Sequence, residues 1–495
     1  MKKIISIAAA LAAALSAASL AAPPSGSRDG RLPDPTGTIR TYSDGGPIDT
    51  RGAFFQSLGT NGRTCATCHV IGEAMGLSAA GARSRFAMSR GADPLFAPVD
   101  GANCSTARRE NPADHSLLLK SGLFRIALTP PANAQFSVSP VQDPYGCAIT
   151  PDGSGQPVVS VYRRPLPTTN LRFLSAVMWD GRETLAPLNN GTSFPDNLVA
   201  DLTDQANSAT NGHAQATQPA TPAQLADIVN FELGLYTAQE TDLFAGNLAG
   251  DGATGGAYNV YSYSSQYYPG VNDPLGGDPA GDAFNPVSMT LFSSWRQLSY
   301  ADVRRPEDWV RITARKAIAA GETLFNTATI NITNVRGLND NVALGKPKTV
   351  AGHCTTCHDT PNVGDHSLPL PLDIGTGHSS LPGMETDPQI QAALAQLSMP
   401  NLPVYLIEGC PNPFNSDAPP SFYTTDPGKA LTTGQCSDLN RVKGPILRGL
   451  AARAPYFHNG SAANLLEVVN FYNERFQMGL TSIQKLELVA FLNSL

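Results

Sequence analysis

Residues 63–72 read RTCATCHVIG, and residues 352–364 repeat the pattern as GHCTTCHDTPNVG. Each stretch places two cysteines three positions apart with a histidine directly behind the second: Cys65, Cys68 and His69, then Cys354, Cys357 and His358. Cys-x-x-Cys-His is the attachment signature of a c-type haem. The thiols add to the vinyl groups of the porphyrin, and the adjacent histidine falls beneath the ring as an axial iron ligand. A zinc ion would need a second half-site spaced for one tetrahedral centre, and these motifs are far apart in the chain. A thioredoxin-like Cys-x-x-Cys wants a strand-to-helix setting, which neither copy has. The pair therefore predicts two covalently bound haem c groups, with His69 and His358 as iron ligands.

The rest of the chain suits such a protein. Its first residues, MKKIISIAAALAAALSAASLAAPPSG, have the layout of a secretory signal peptide, with a small-x-small cleavage site at Ser19-Leu20-Ala21. The competing reading is a membrane anchor, but the run is alanine-rich and only weakly apolar. Residues 1–21 are expected to be removed, leaving an exported, periplasmic protein with no membrane span. Covalent haem attachment in bacteria also takes place outside the cytoplasm. The net charge is −7 and no basic patch stands out, so nucleic acid is set aside as a partner. Of the eight cysteines, Cys104, Cys147, Cys410 and Cys436 lie outside the motifs. In an exported protein this even remainder predicts Cys104–Cys147 and Cys410–Cys436 bridges, with free buried thiols as the alternative.

The clearest periodic segments are helical. Residues 221–239, TPAQLADIVNFELGLYTAQ, open on a capping box from Thr221 to Gln224 and carry a stripe of Leu225, Ile228 and Val229. Residues 464–476 place Leu465, Val468, Val469, Tyr472 and Phe476 on one face, and a last helix opens on TSIQ and runs through Leu486, Val489 and Leu492. VRITARKAIAAGETLF, at 310–325, reads as a helix leading to the second motif, and GLSAAGARSRFAM, at 76–88, as a loose helix or loop. A Gly/Tyr/Asn-rich run from about 250 to 300 has no period and reads as a long loop. No sustained alternation marks a large sheet. The expected fold is mainly α, with two cytochrome c-like haem domains carrying long loop insertions, 22–310 and 311–495.

The order of these motifs resembles the bacterial dihaem cytochrome c peroxidase/MauG superfamily. Besides the two haem motifs, PTTNLRFLSAVMWDGRE at 167–183 is similar to the family's Pro-Thr…Trp-Asp-Gly-Arg stretch, and residues 444–495 match its C-terminal segment almost throughout. The likeness covers most of the chain and thins at about 85–160 and 250–300. It implies that hydrogen peroxide reacts at the N-terminal haem to form high-valent iron, while the C-terminal haem stores or relays electrons through an intervening tryptophan, here Trp179. The reductant would be a small cytochrome or cupredoxin, or the enzyme would oxidise a protein or organic substrate.

The likeness also names second ligands and acid–base groups. Simple peroxidases of the family place a methionine fourteen residues after the histidine of their PYFH motif, and MauG-type proteins place a tyrosine. Counting from His458 reaches Tyr472, so this chain resembles the MauG-like branch. Tyrosinate is a hard anionic ligand that favours oxidised iron. The alternative leaves Tyr472 in the core and gives the ligand role to Met478 or Met399. Family members follow the tryptophan stretch with Gln-Ala and then a catalytic Glu. DQANSATNGHAQA, at 204–216, keeps Gln205-Ala206 but supplies no carboxylate, so the candidates become His213 and Gln215. Three readings of His213 stand: acid–base catalyst, iron ligand or exposed loop residue. His353, His366 and His378 flank the second motif, with surface or haem-edge hydrogen bonding as the default, and His115 reads as a loop residue. The family's interdomain calcium, held by backbone oxygens near PYFH, is open here: Pro455 keeps one position, and Arg453 stands where the family has threonine. Two other functions compete, a dihaem electron carrier and a dioxygen-using enzyme resembling the dihaem rubber oxygenases.

Overall fold

Both Cys-x-x-Cys-His stretches fold into the same local object. In the computed structural model, which describes residues 30–184, 194–364, 368 and 370–495, each motif forms a short 3-10 turn, Cys65–Thr67 and Cys354–Thr356. The threonine before the second cysteine caps it: Thr67 Oγ1 accepts the Thr64 N–H at 2.9 Å, and Thr356 Oγ1 accepts the His353 N–H at 2.9 Å. The histidine amide then bonds back to the first cysteine carbonyl, at 3.1 Å for His69 and 3.0 Å for His358. A few residues on, the chain reverses and closes on itself through isolated bridges, Val70 with Gly76 and Asp359 with Gly364. Both reversals use a left-handed, non-glycine residue, Met75 at φ 54° and Val363 at φ 56°. That conformation is costly for a branched side chain, about 1–3 kcal/mol, so it persists only where the surroundings over-determine it. The expected signal peptide and His366 lie outside the described residues.

Around these turns the N-terminal half runs β1 (Arg31–Asp34), β2 (Gly37–Ser43), α1 (Ala79–Ser89), α2 (Ser116–Ser121), β3 (Phe124–Leu128), β4 (Ser137–Gln142), β5 (Ile149–Pro151) and β6 (Pro157–Arg163). It continues through α3 (Phe194–Gly212), α4 (Pro222–Leu233), β7 (Leu235–Asp242), β8 (Gly246–Asn247) and α5 (Ala257–Tyr263). Then come α6 (Pro306–Thr327), β9 (Ile330–Ile332), β10 (Val350–Gly352), α7 (Pro388–Leu394), β11 (Val404–Glu408), β12 (Ser421–Thr424), α8 (Ala430–Thr433), α9 (Leu465–Arg475) and α10 (Ser482–Asn493). The strands form four small antiparallel sheets, ordered β1-β2-β7-β8, β10-β9, β12-β11-β4 and β3-β6-β5. The fold is therefore more mixed than the mainly α expectation. The β12-β11-β4 sheet joins a strand of the 85–160 insertion to two strands of the C-terminal half.

The helices largely follow their sequence signals, and the departures have physical reasons. The Thr221–Gln224 and Thr481–Gln484 capping boxes both form and start α4 and α10. Helix α1 forms where a loose helix or loop was expected, capped by Ser78 Oγ accepting the Gly81 N–H at 2.8 Å. Helix α4 stops at Leu233, and GLYTAQ, expected to be helical, becomes β7. Residues 235–240 are buried on both faces, so they show no alternation and pass for an apolar helix continuation. β6 hides for the same reason, since Val159 to Arg163 are all buried. On α10 the buried stripe is Leu488, Phe491 and Leu492, while Leu486 is exposed. Both expected disulfides, Cys104–Cys147 and Cys410–Cys436, are present.

The largest core packs α6 against α10 and draws in Met289, Phe292 and Trp295 from the 250–300 run. That run is irregular apart from α5 and short turns, as expected, but it is core wall rather than an excursion. Helix α6 begins at Pro306 and passes through the division expected near residue 310. Its crossing with α10 depends on Gly321: a Cβ there would lie 2.0 Å from the Glu487 carbonyl oxygen and 2.8 Å from Phe491 Cβ. Gly321→Ala should therefore force the helices apart and lower stability by about 1–3 kcal/mol or more, despite alanine's better helix propensity. Thermal unfolding checks this, and an unchanged or raised Tm would contradict the close crossing.

Candidate haem sites

One face of α3 builds the roof of the first site. Leu202, Gln205 and Ala209 recur on it at helical spacing and, with His213 just past its end, line a cavity whose wall also holds Cys68 and His69. The loop from Pro165 to Thr168, then Leu171, Leu174, Trp179 and Glu232, complete the cavity. Burial pushes the His69 imidazole down to about 4, and its Nδ1 lies 3.3 Å from the Met75 carbonyl. A neutral ring that donates from Nδ1 keeps its Nε2 lone pair for a metal.

The expected catalytic residues divide. Gln205, His213 and Trp179 face this cavity together, whereas Gln215 is not among its lining residues. Gln215 instead ends the loop at φ 55°, with its carbonyl accepting Thr60 Oγ1 at 2.8 Å and its Oε1 accepting Asn61 Nδ2 at 3.2 Å. Three functional candidates went unread in the sequence. His213 Nδ1 bonds to the buried Asp100 carboxylate, which also pairs with the buried Arg63 guanidinium. Burial pushes the Asp100 carboxyl up, but Arg63 and His213 outweigh it and hold the group below the usual carboxylate range. Glu232 is the third, with an unpartnered buried Oε2, and burial raises it to about 8, so it is mainly protonated at neutral pH. Its position three residues after Val229 on the buried face of α4 was the available signal. Asp100 lies in FAPVDGANC, where no motif marks it.

The second cavity, about 1530 Å³, repeats the plan with different furniture. Cys354, Cys357 and His358 share it with Tyr472, Met478 and an apolar wall from α9 and α10. Phe325 lies 6.4 Å from the His358 ring at 49°, as Phe54 lies 6.5 Å from His69 at 52°. Burial pushes His358 down to about 4; its Nδ1 faces the Val363 carbonyl without a full hydrogen bond. Burial and then the neighbouring Cys357 and Cys354 push the Tyr472 phenol well above its ordinary value. Met478 also lines the cavity; Met399 does not, and packs in a cluster with Ile390, Phe471 and Tyr472. His353 lines it too, with Nδ1 3.2 Å from the Ala328 carbonyl. His378 is no surface residue: it is buried between Asp373, at 2.9 Å, and Glu385. Burial lowers it, yet the two carboxylates win and raise it to about 9. His115, read as a loop residue, is fully buried, bonding the Gly101 and Arg109 carbonyls at 2.6 and 3.0 Å.

Trp179 belongs to both cavities, as does Lys443. Its indole N–H donates to the Arg164 carbonyl at 2.8 Å, and its ring meets the buried His458 edge-to-face at 6.0 Å. The next residue, Asp180, accepts from Arg163 at 2.5 Å, and Arg163 forks onto Asp426 at 2.6 and 2.9 Å.

The residues present fit haem c at both sites. Burial pushes Cys65 and Cys354 up to about 12 and Cys68 to about 11. Neutral thiols of this kind do not suit disulfide exchange. Among the described residues no three His, Cys, Asp or Glu side chains are grouped to hold a metal ion. Calcium, by contrast, does not fit the Arg453 position. The Arg453 carbonyl accepts from Arg164 Nη2 at 2.7 Å, and the same nitrogen donates to the Leu77 carbonyl at 2.5 Å. Arg164 Nη1 reaches the Ser121 carbonyl at 3.3 Å, passing Gly122, where a Cβ would lie 1.9 Å away. Burial and the neighbouring Arg453 push Arg164 down to about 9, a site already crowded with positive charge.

No family model matches the chain. Over 159 residues it is 32% identical to the cytochrome-c peroxidase IdrP2 of Denitromonas iodatirespirans, a match covering 30% of this chain and 37% of that relative. The chain thus spans little more than a third of the curated relative it matches. Among the described residues no helix is long and apolar enough to cross a membrane.

If Arg164 takes the place of a metal ion, chelation with EGTA should leave the thermal unfolding temperature unchanged. Arg164→Ala should lower stability by about 2–4 kcal/mol through three stranded carbonyls. A Tm that falls on chelation, or rises on adding calcium, would contradict this.

Proposed function

We propose that the chain is an exported, dihaem c-type peroxidase of the cytochrome c peroxidase/MauG kind. One haem would be held by Cys65, Cys68 and His69 in a domain formed by 22–310, the other by Cys354, Cys357 and His358 in a domain formed by 311–495. Residues 1–21 would direct it to the periplasm. The observation that carries the reading is Trp179, which lines both cavities. The partial likeness to a cytochrome-c peroxidase supports it.

When bound, the two irons would supply the redox chemistry that reduces hydrogen peroxide. The chain's own residues do the rest. His213 faces the first cavity and can take the proton of the near peroxide oxygen at Nε2, then return it to the leaving oxygen. Gln205 offers an amide on the same face, and the apolar residues Leu171, Leu174 and Leu202 limit water there. Trp179 is an oxidisable indole in the shared wall and can pass an electron from the second site to the first. Tyr472 would help hold the C-terminal iron together with His358, since a bound cation would reverse the effect of burial on the phenol. The reductant is a small periplasmic cytochrome or cupredoxin, or the substrate is a protein or organic molecule.

Intact mass should exceed the processed chain by two haem units, and Cys65→Ala with Cys68→Ala should remove one. In stopped-flow mixing with peroxide, His213→Ala should react about two to four orders of magnitude more slowly. Tyr472→Phe should change the C-terminal haem's EPR signature. A wild-type rate in the first variant, or an unchanged spectrum in the second, would overturn that assignment.

A further inference from the structure

We propose that Asp100 is the positioning residue that sets His213 for proton transfer, with Arg63 as its counter-charge; the inference rests on the peroxide reaction proposed above. His213 sits just past the end of α3, with a side chain 44% exposed, so nothing in the helix itself fixes its ring. Asp100 does, through one carboxylate oxygen bonded to Nδ1, while the His213 carbonyl is held by Asn61 Nδ2 at 2.8 Å and Arg63 Nη1 at 3.2 Å. A carboxylate accepts but cannot donate, so Nδ1 must carry the proton in the neutral ring. Nε2 is then the basic nitrogen, on a residue that faces the first cavity.

Asp100 can act this way only if it is itself immobile and charged. Its side chain is 5% exposed and its other oxygen pairs with Arg63, 3% exposed. Arg63 in turn donates to the carbonyls of Pro94 at 2.9 Å, Leu95 at 2.9 Å and Ala97 at 3.3 Å. Those three carbonyls surround the segment that leads into Asp100. Gly101 belongs to the same construction, since a Cβ there would lie 2.1 Å from the Leu95 carbonyl and 2.8 Å from Arg63 Nη2.

The charge balance matters as much as the geometry. An Asp–His pair alone would favour a permanent imidazolium, which has no lone pair to accept a proton. Arg63 pairs with the other oxygen of Asp100 and offsets its charge. The other charged groups at this cavity, Arg163, Arg164, Arg182 and Lys443, are all cationic and oppose a second positive charge, with Glu232 the one carboxyl. Arg63 lies two residues before Cys65, which ties the clamp to the first haem motif by covalent chain.

The test measures association of cyanide and of peroxide with the haem-loaded protein across pH, in wild type, Asp100→Asn, His213→Ala and the double variant. Cyanide enters as HCN and must leave its proton on a nearby base, so it reports His213 without turnover. Asp100→Asn should slow both associations about 10- to 100-fold, the usual effect of removing an orienting partner. Its acid limb should move to lower pH, because the carboxylate no longer stabilises the imidazolium. The double variant should be no slower than His213→Ala. Asp100→Glu, which keeps the charge and can fold without stranding Arg63, should recover part of the rate. A slow His213→Ala beside a wild-type Asp100→Asn with an unmoved pH profile would overturn this inference and leave the proton role of His213 standing. A wild-type rate in His213→Ala would overturn the role itself. If Asp100→Asn slows the His213→Ala background equally, Asp100 acts on the fold alone and the inference fails.

Discussion

One buried guanidinium, that of Arg163, holds the two halves of the site in register. It leaves the end of β6 and grips Asp180, the neighbour of Trp179, while its fork binds Asp426 from the C-terminal half. All three side chains are at most 2% exposed. Burial alone would push both carboxyls up, yet the guanidinium holds each below its usual range. Taking charges from water is expensive, so the cluster adds little net stability, but removing one member would strand the others at about 3–5 kcal/mol. Its value lies in direction: a bidentate pair fixes angles as well as distances. Trp179 is thereby set as a wall of both cavities. Stability contributed by the two carboxylates is present at neutral pH and is lost as the pH falls through their depressed values.

The two sites are variations on one loop. The same 3-10 turn, threonine cap, left-handed reversal and flanking phenylalanine recur around His69 and His358. What differs is the opposite wall. The first carries His213, Gln205 and Glu232, groups that hold or move protons. The second carries Tyr472 and Met478 amid Val468, Val469, Leu488 and Leu492. This asymmetry is the ground for the proposed division between a reacting site and a site that stores charge.

Sequence reading reached the parts governed by local chemistry. The Cys-x-x-Cys-His motifs, both disulfide pairings and the two capping boxes follow from spacing and composition, and the family likeness singled out Gln205 and His213, which line one cavity. It failed where tertiary burial overrides pattern. β6 and β7 are buried on both faces and lose the alternation that identifies a strand, so the sheets went unseen. His115 looked like a loop residue and His378 like a surface or haem-edge one, because their partners, backbone carbonyls in one case and Asp373 with Glu385 in the other, are set by folding. Asp100, 113 positions from His213, was invisible for the same reason. Gln215 illustrates the converse: its spacing suggested the site, but its backbone turns it toward Thr60 and Asn61.

The central claim is that the two cavities act as one redox unit through their shared tryptophan. The direct measurement mixes the oxidised, haem-loaded protein with one equivalent of hydrogen peroxide, freezes it within milliseconds, and follows the EPR signals of both haems in wild type and Trp179→Phe. The account predicts that both signals change together in the wild type, while in Trp179→Phe the first changes at its normal rate and the second lags or stays. Equal and simultaneous changes in both proteins would contradict it.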